Sequence, residues 1–288
     1  MAGGLAVRGN LLCVGWSSSR GHVLLFDLEA GQRVSAWQVP AGSSGYSDAA
    51  GVAMDDRYHV YVADPQNDRV CHFTAFGRHL ADFGEVPPAK GDAARDRQGV
   101  LDRPHAVAVR GDLVYVAIGE QPRRRGVQRF SRQGTALRSL ASCGDAEQKF
   151  GAPRGLWADA DGLLVADTLR GCLQQFAGDG RFVREWPCGR SGQARPIAVA
   201  RQAGGTVLFA DRGDQPGVFA FDRNGLAVDC NDLQQHCRDP IGLALDKQQR
   251  VYVLDRGGER VVRCSAELQF EQVLFDLAEL EIDPPHAP

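Results

Sequence analysis

The chain has 288 residues, 43% hydrophobic and 24% charged, with a formal net charge of −3, an ordinary balance for a soluble globular protein. No run of 18 apolar residues occurs, which excludes a membrane-spanning helix and gives no expectation of a membrane partner. The opening MAGGLAVRGNLLCVGW aligns from Leu5 with VAVRGDLVYVA (Val107 to Ala117), so it reads as structural sequence and not as a cleavable signal, and a cytoplasmic location is expected.

One phrase then returns along the chain: an apolar strand ending in a small residue plus Asp, a polar turn, Val-x-x-Phe, and Gly. In order the copies run Leu11 to Gly31, Val60 to Gly77, Leu113 to Gly134, Leu163 to Gly180, Val207 to Gly225 and Val251 to Leu268. VYVADPQNDRVCHFTAFG is the clearest, and the first and third are worn. The aliphatic opening the Val-x-x-Phe step falls at Val23, Val70, Val127, Leu173, Val218 and Val261, at spacings of 47, 57, 46, 45 and 43 residues.

A short apolar run precedes each unit (LAV, GVAM, AVAV, GLWA, AVA, GLAL) and another follows it, as in VSAWQV, HLADF and FVREW. Four short β-rich runs broken by Gly, Asp or Asn make about 45 residues, the size of one propeller blade. A blade has two apolar faces and buries them only against neighbours, so six copies in one register predict an all-β, six-bladed β-propeller of four-stranded antiparallel blades. The blades are expected near residues 5–40, 48–84, 103–143, 153–189, 195–233 and 239–275 of a single domain, with a C-terminal tail at 276–288. No sustained helical period appears. No strand exchange is evident, and Leu280 to Ile282 of the tail are candidates to pair against the first blade.

GVAMDDRYHVYVADPQNDRVCHF (Gly51 to Phe73) resembles the blade signature of the NHL-repeat propellers, and CGDAEQKFGAPRGLWAD (Cys143 to Asp159) resembles the loop entering such a blade. The resemblance spans about residues 5–275 and implies the fold. It leaves function open, because this fold hosts unrelated activities.

Eight cysteines (13, 71, 143, 172, 188, 230, 237 and 264) mostly replace apolar strand residues and are expected as buried, reduced thiols. No CxxC is present to suggest a zinc knuckle. Lys90, Lys149 and Lys247 are the only lysines among 33 basic residues, which reads as coding bias except where arginines cluster.

In a propeller the innermost strand lines the channel. The loops leading into it share one rim with the turns between the second and third strands. That rim is expected to hold Ala50, His105, Arg154, Ile197 and Ile241 ahead of the inner strands. It also holds the strand-end residues Asp64, Asp167, Asp211 and Asp255, with Gly15 and Ile118 in the worn copies. A carboxylate repeated in blade after blade reads as architecture, accepting backbone N–H bonds in its own turn.

His105 and Arg154 break the pattern. In NHL-like amidating lyases, histidines in such contexts bind a catalytic zinc. RPHAVAV (Arg103 to Val109) matches that context once, while a catalytic zinc needs three protein ligands; His236 lies out of register. A gluconolactonase-like site would need carboxylates inside the channel strands. Asp55, Asp159 and Asp246 instead end those strands, where the NHL signature itself carries Asp.

The linker GEVPPAKGDAARDRQGVLDRP (Gly84 to Pro104) and the run Arg123, Arg124 and Arg125 belong to the third blade. With His105 and Arg154 they make one sector of the rim basic, and long loops on a rigid scaffold are where binding resides. The expectation is a non-catalytic, monomeric binding scaffold that needs no cofactor and holds an acidic protein or peptide partner at this rim. The alternatives are a lyase or hydrolase using zinc or calcium near His105, and RNA binding, for which no aromatics flank the Arg run.

Overall fold

A computed structural model describes residues 2–17, 20–43, 45–84, 98–119, 125–140, 150–189 and 193–277. It contains six four-stranded antiparallel sheets, each built from strands consecutive in the chain. Blade 1 is β1 (Ala2–Arg8), β2 (Leu11–Trp16), β3 (His22–Asp27) and β4 (Gln32–Gln38). Blade 2 is β5 (Gly51–Met54), β6 (Val60–Asp64), β7 (Arg69–Phe73) and β8 (His79–Phe83). Blade 3 is β9 (Ala106–Arg110), β10 (Leu113–Ile118), β11 (Gly126–Ser131) and β12 (Ala136–Leu137). Blade 4 is β13 (Pro153–Asp159), β14 (Gly162–Asp167), β15 (Cys172–Phe176) and β16 (Phe182–Pro187). Blade 5 is β17 (Pro196–Arg201), β18 (Val207–Asp211), β19 (Gly217–Phe221) and β20 (Ala227–Val228). Blade 6 is β21 (Pro240–Leu245), β22 (Val251–Asp255), β23 (Arg260–Cys264) and β24 (Phe270–Asp276).

The first strands of the six blades touch in a closed circle, β1 to β5, β9, β13, β17, β21 and back to β1. This makes the chain an all-β six-bladed propeller.

Strand alternation explains the sequence phrase. On β6, Val60 and Val62 pack toward blade 1, whereas Tyr61 packs toward blade 3. On β14, Leu163 and Val165 face blade 3, and Leu164 and Ala166 face blade 5. Second strands are therefore apolar on both faces up to their last residue, because each face meets a neighbouring sheet. The outer strands β4 and β16 are largely exposed and carry charge, which suits edges open to water.

The inner ring is tight enough to demand glycine at several points, among them Gly51 and Gly155. A Cβ on Gly51 would meet the His105 carbonyl oxygen at 2.5 Å, and one on Gly155 would meet Ala198 Cα at 2.7 Å. Neighbouring blades thus approach backbone to backbone.

Among the described residues the ring closes by packing of blade 6 against blade 1. Leu5, Leu12, Val14 and Phe26 of blade 1 form one cluster with Tyr252, Leu254 and Val261 of blade 6 and with Leu277. Phe26 and Phe275 stack with ring centroids 4.0 Å apart, and the Leu277 N–H donates to the Glu259 carbonyl at 2.6 Å. Leu280 to Ile282 lie outside the described residues.

Blade 5 differs from the expected pattern. Its outer strand is only two residues long and is followed by α1 (Asn231–His236), with Leu233 buried among residues of blades 5 and 6. Among the described residues, no helix is long and apolar enough to cross a membrane. The described cysteines are free and mostly buried, and Cys143 lies outside the described set. Burial pushes their thiols upward, Cys230 to about 11 and Cys172 and Cys237 to about 12, so they act as neutral packing groups.

Candidate functional site at the channel mouth

Two repeat positions turn inward at one end of the channel. The first is the residue ahead of the inner-strand core: Gly3, Ala50, His105, Arg154, Ile197 and Ile241. In blades 1, 4, 5 and 6 it sits at a register shift, where the strand bulges. The second follows the end of the second strand and is Ser17, Thr168, Arg212 and Arg256 in those same blades. Together with Arg195, these residues line an opening of about 510 Å³.

The recurrent Asp builds this opening without lining it. Asp167 accepts the N–H groups of Gly151 and Ala152, each at 2.7 Å. Asp64 accepts Asp48 N–H at 3.0 Å, Asp211 accepts Arg195 N–H, and Asp255 accepts Arg238 and Asp239 N–H at 3.1 and 2.8 Å. Within the turn, the place expected from the sequence, Gly213 N–H also donates to Asp211 at 3.0 Å, and the linker bonds add to this. Each ties the end of the second strand to the linker entering the same blade. Burial, the largest influence, holds the Asp64 and Asp167 carboxyls above the usual carboxylate range despite these donors. In blade 1 the equivalent position is Trp16, not Gly15: Trp16 pairs with His22 as Asp64 pairs with Arg69. Ile118 holds it in blade 3, opposite Gly126.

This bonding positions the charged groups of the mouth. Arg195 lies on the linker fixed by Asp211, and Asp239 on the linker fixed by Asp255. Asp239 accepts Arg212 Nε at 2.8 Å on one oxygen, and Arg256 Nε and Nη2 at 2.8 and 2.6 Å on the other. One carboxylate therefore joins guanidinium groups of blades 5 and 6. Arg195 is exposed and makes no ion pair among the described residues. Burial, then the charges of Arg154 and Arg103, pushes His105 down to about 3, so it is a neutral imidazole at neutral pH. Among the described residues, four arginines and no carboxylate line the opening.

His105 and Arg154 are brought together as lining residues. Arg125 is not: it closes the start of β11, its Cα 2.5 Å from where a Cβ on Gly119 would lie. Arg123 and Arg124 fall outside the described residues, as do 85–97 of the long linker. The end of that linker is packed, with Val100 and Leu101 buried and Leu101 in the blade 2–blade 3 cluster. Arg195, Arg212 and Arg256 were missed in the sequence. For the last two a signal exists: Asp-Arg-Gly follows the second strand in blades 5 and 6 (Asp211 to Gly213, Asp255 to Gly257).

Among the described residues, His105 is the one imidazole lining the mouth, and no cysteine or carboxylate joins it there. The charged groups beside His105 are Arg154 and Arg103, which oppose a cation. Among the described residues, Cys71, His79 and Asp82 form a cluster with metal-ligand spacing, at the outer edge of blade 2. Both Asp82 oxygens there already accept bonds, from His79 Nε2 at 2.7 Å and Arg69 Nη1 at 2.6 Å. His236 stacks on Phe270 with centroids 3.9 Å apart.

The opposite end of the channel holds a larger cavity, of about 1050 Å³. Its charges are matched across blades: Arg132 reaches Asp56 at 2.6 Å and Asp55 at 3.4 Å, and Arg201 Nε donates to Asp159 at 2.8 Å. The mouth, by contrast, carries an excess of cations.

No protein-family model matches the chain, and no curated protein does. Among solved structures it is similar to the nidogen/laminin complex (TM-score 0.66, 15% identity, covering 91% of this chain and 92% of that one). It is also similar to virginiamycin B lyase from Staphylococcus aureus (TM-score 0.64, 9% identity, 94% and 83%) and to YCF48 bound to D1 peptide (TM-score 0.58, 10% identity, 97% and 83%). The likeness is one of fold. Identities this low carry no activity with them.

Proposed function

We propose that the chain is a non-catalytic binding scaffold, a propeller of NHL type that presents the rim around the channel mouth to a protein or peptide partner. The observation that carries this reading is the collar of Arg154, Arg195, Arg212 and Arg256, set on loops tied down by buried carboxylates. Tyr46 and Leu169, 58% and 51% exposed, belong to loops of the same rim and offer apolar anchors beside the charge. A rigid frame with exposed cationic and apolar groups suits recognition. Two fold neighbours were solved with partners, nidogen with laminin and YCF48 with D1 peptide.

The test places a photo-crosslinking amino acid at position 169, or at position 78 on the opposite rim. Partner adducts are expected from 169 and not from 78. Replacing Arg195 and Arg212 by Ser, or Arg123, Arg124 and Arg125 by Ser, is expected to reduce them without unfolding the ring. Equal adducts from both positions remove the assignment of this rim.

A further inference from the structure

The charge of the mouth specifies the partner's chemistry. Four guanidinium groups line the opening, and the imidazole among them is neutral. Arg212 uses only Nε on Asp239, which leaves its two terminal nitrogens outside that contact. Asp239 itself shows what this arrangement accepts: a carboxylate taking N–H groups from two arginines of different blades. Guanidinium groups pair with carboxylates in planar, often two-pronged geometry, and such charge-assisted bonds are stronger than neutral ones. Among the described residues the lining has no aromatic side chain on which a base would stack, Tyr46 standing on the rim outside it, so a single nucleic-acid strand meets only half of its requirements inside the opening.

We propose that the mouth takes the carboxylates of an acidic segment of the protein partner, Asp- or Glu-rich, with its side chains entering the arginine collar. This rests on the scaffold reading above. Arg195 and Arg154 supply guanidinium groups on blades 5 and 4, and Arg212 and Arg256 supply a second pair already oriented by Asp239. The segment's own repulsion between carboxylates is relieved in the collar, so binding is steep in salt.

The test uses a fluorescein-labelled deca-glutamate peptide, followed by fluorescence anisotropy at about 50 mM salt, where exposed charges are weakly screened. A labelled decathymidylate and a deca-lysine peptide are run beside it. Deca-glutamate is expected to bind the full chain. Arg154→Ser, Arg195→Ser and Arg212→Ser are each expected to weaken it about tenfold, the effect of a charge-assisted bond. Arg78→Ser on the opposite rim is expected to leave it unchanged, with far-ultraviolet dichroism reporting that every variant is folded.

If deca-glutamate fails to bind while position 169 still crosslinks a partner, the acidic-segment inference falls and the scaffold stands. If both fail, both fall. Tighter binding of decathymidylate with the same arginine dependence overturns the inference in favour of nucleic acid. An equal loss on Arg78→Ser overturns it in favour of diffuse charge attraction.

Discussion

Replacing Asp167 by Ala isolates the device that repeats around the ring. Asp167 is fully buried, and its oxygens hold Gly151 and Ala152 N–H at 2.7 Å, with Arg170 N–H farther off at 3.4 Å. The substitution leaves two strongly bonded donors without a partner, and each orphaned group costs about 1–3 kcal/mol. Part of that loss is returned, because burial already disfavours the ionised carboxyl. The net expectation is about 3 kcal/mol, which lowers the thermal midpoint by roughly 6–12 °C in a chain of this size.

The matched control is Asp179→Ala in the same blade, where an exposed carboxylate accepts one N–H, from Arg181 at 2.9 Å; it should change stability by no more than about 0.5 kcal/mol. Urea unfolding reads both, and hydrogen exchange at Gly151 and Ala152 reads the released amides directly. A loss for Asp167→Ala below about 1 kcal/mol, or equal to that of the control, refutes the assignment. Because the same bonds fix the linker that leads to Arg154, deca-glutamate binding should weaken in the same variant.

Leu277→Ala removes a buried side chain from the blade 6–blade 1 cluster and should cost about 2–4 kcal/mol in urea unfolding, whereas Phe76→Ala, 70% exposed, should cost almost nothing. Gly51→Ala drives a Cβ toward the His105 carbonyl; about 1–3 kcal/mol of destabilisation is expected, and an unchanged thermal midpoint would show that the inner ring yields easily. His105, held down to about 3, should show no ring titration by NMR between about pH 5 and 8. The sign follows from the lowered value: its contribution to stability is full above about 6.5, is lost progressively as pH falls toward about 3, and disappears in His105→Asn. A titration midpoint near 6.5 would contradict the burial argument.

The ring was legible because blade packing acts on every repeat alike. Runs such as Val60 to Ala63 must be apolar at each position to meet two neighbours, and that signal survives in all six copies. His105 and Arg154 stood out for a related reason, as departures from a position that otherwise carries small or aliphatic residues. Arg195 was hidden because its direction depends on linker conformation, which no local pattern announces, whereas Arg212 and Arg256 carry a signal, the Asp-Arg-Gly after β18 and β22, that shows only when blades 5 and 6 are set side by side. The short helix after β20 was invisible for its length, since Asn231 to His236 is too short to display a period. Trp16 was displaced by one position because the register of blade 1 is set by pairing with β3. Val100 and Leu101 were submerged in a linker of mixed charge, yet tertiary packing buries them.

The most direct test of the channel mouth as the binding surface is the hydrogen-exchange footprint of the bound partner. Slowed exchange is predicted at Arg195, at Arg212 and Gly213, at Arg238 and Asp239, and at Arg256. Protection confined to the opposite turns, around residues 74–78, 177–181 and 222–226, or to the outer strands, would contradict it.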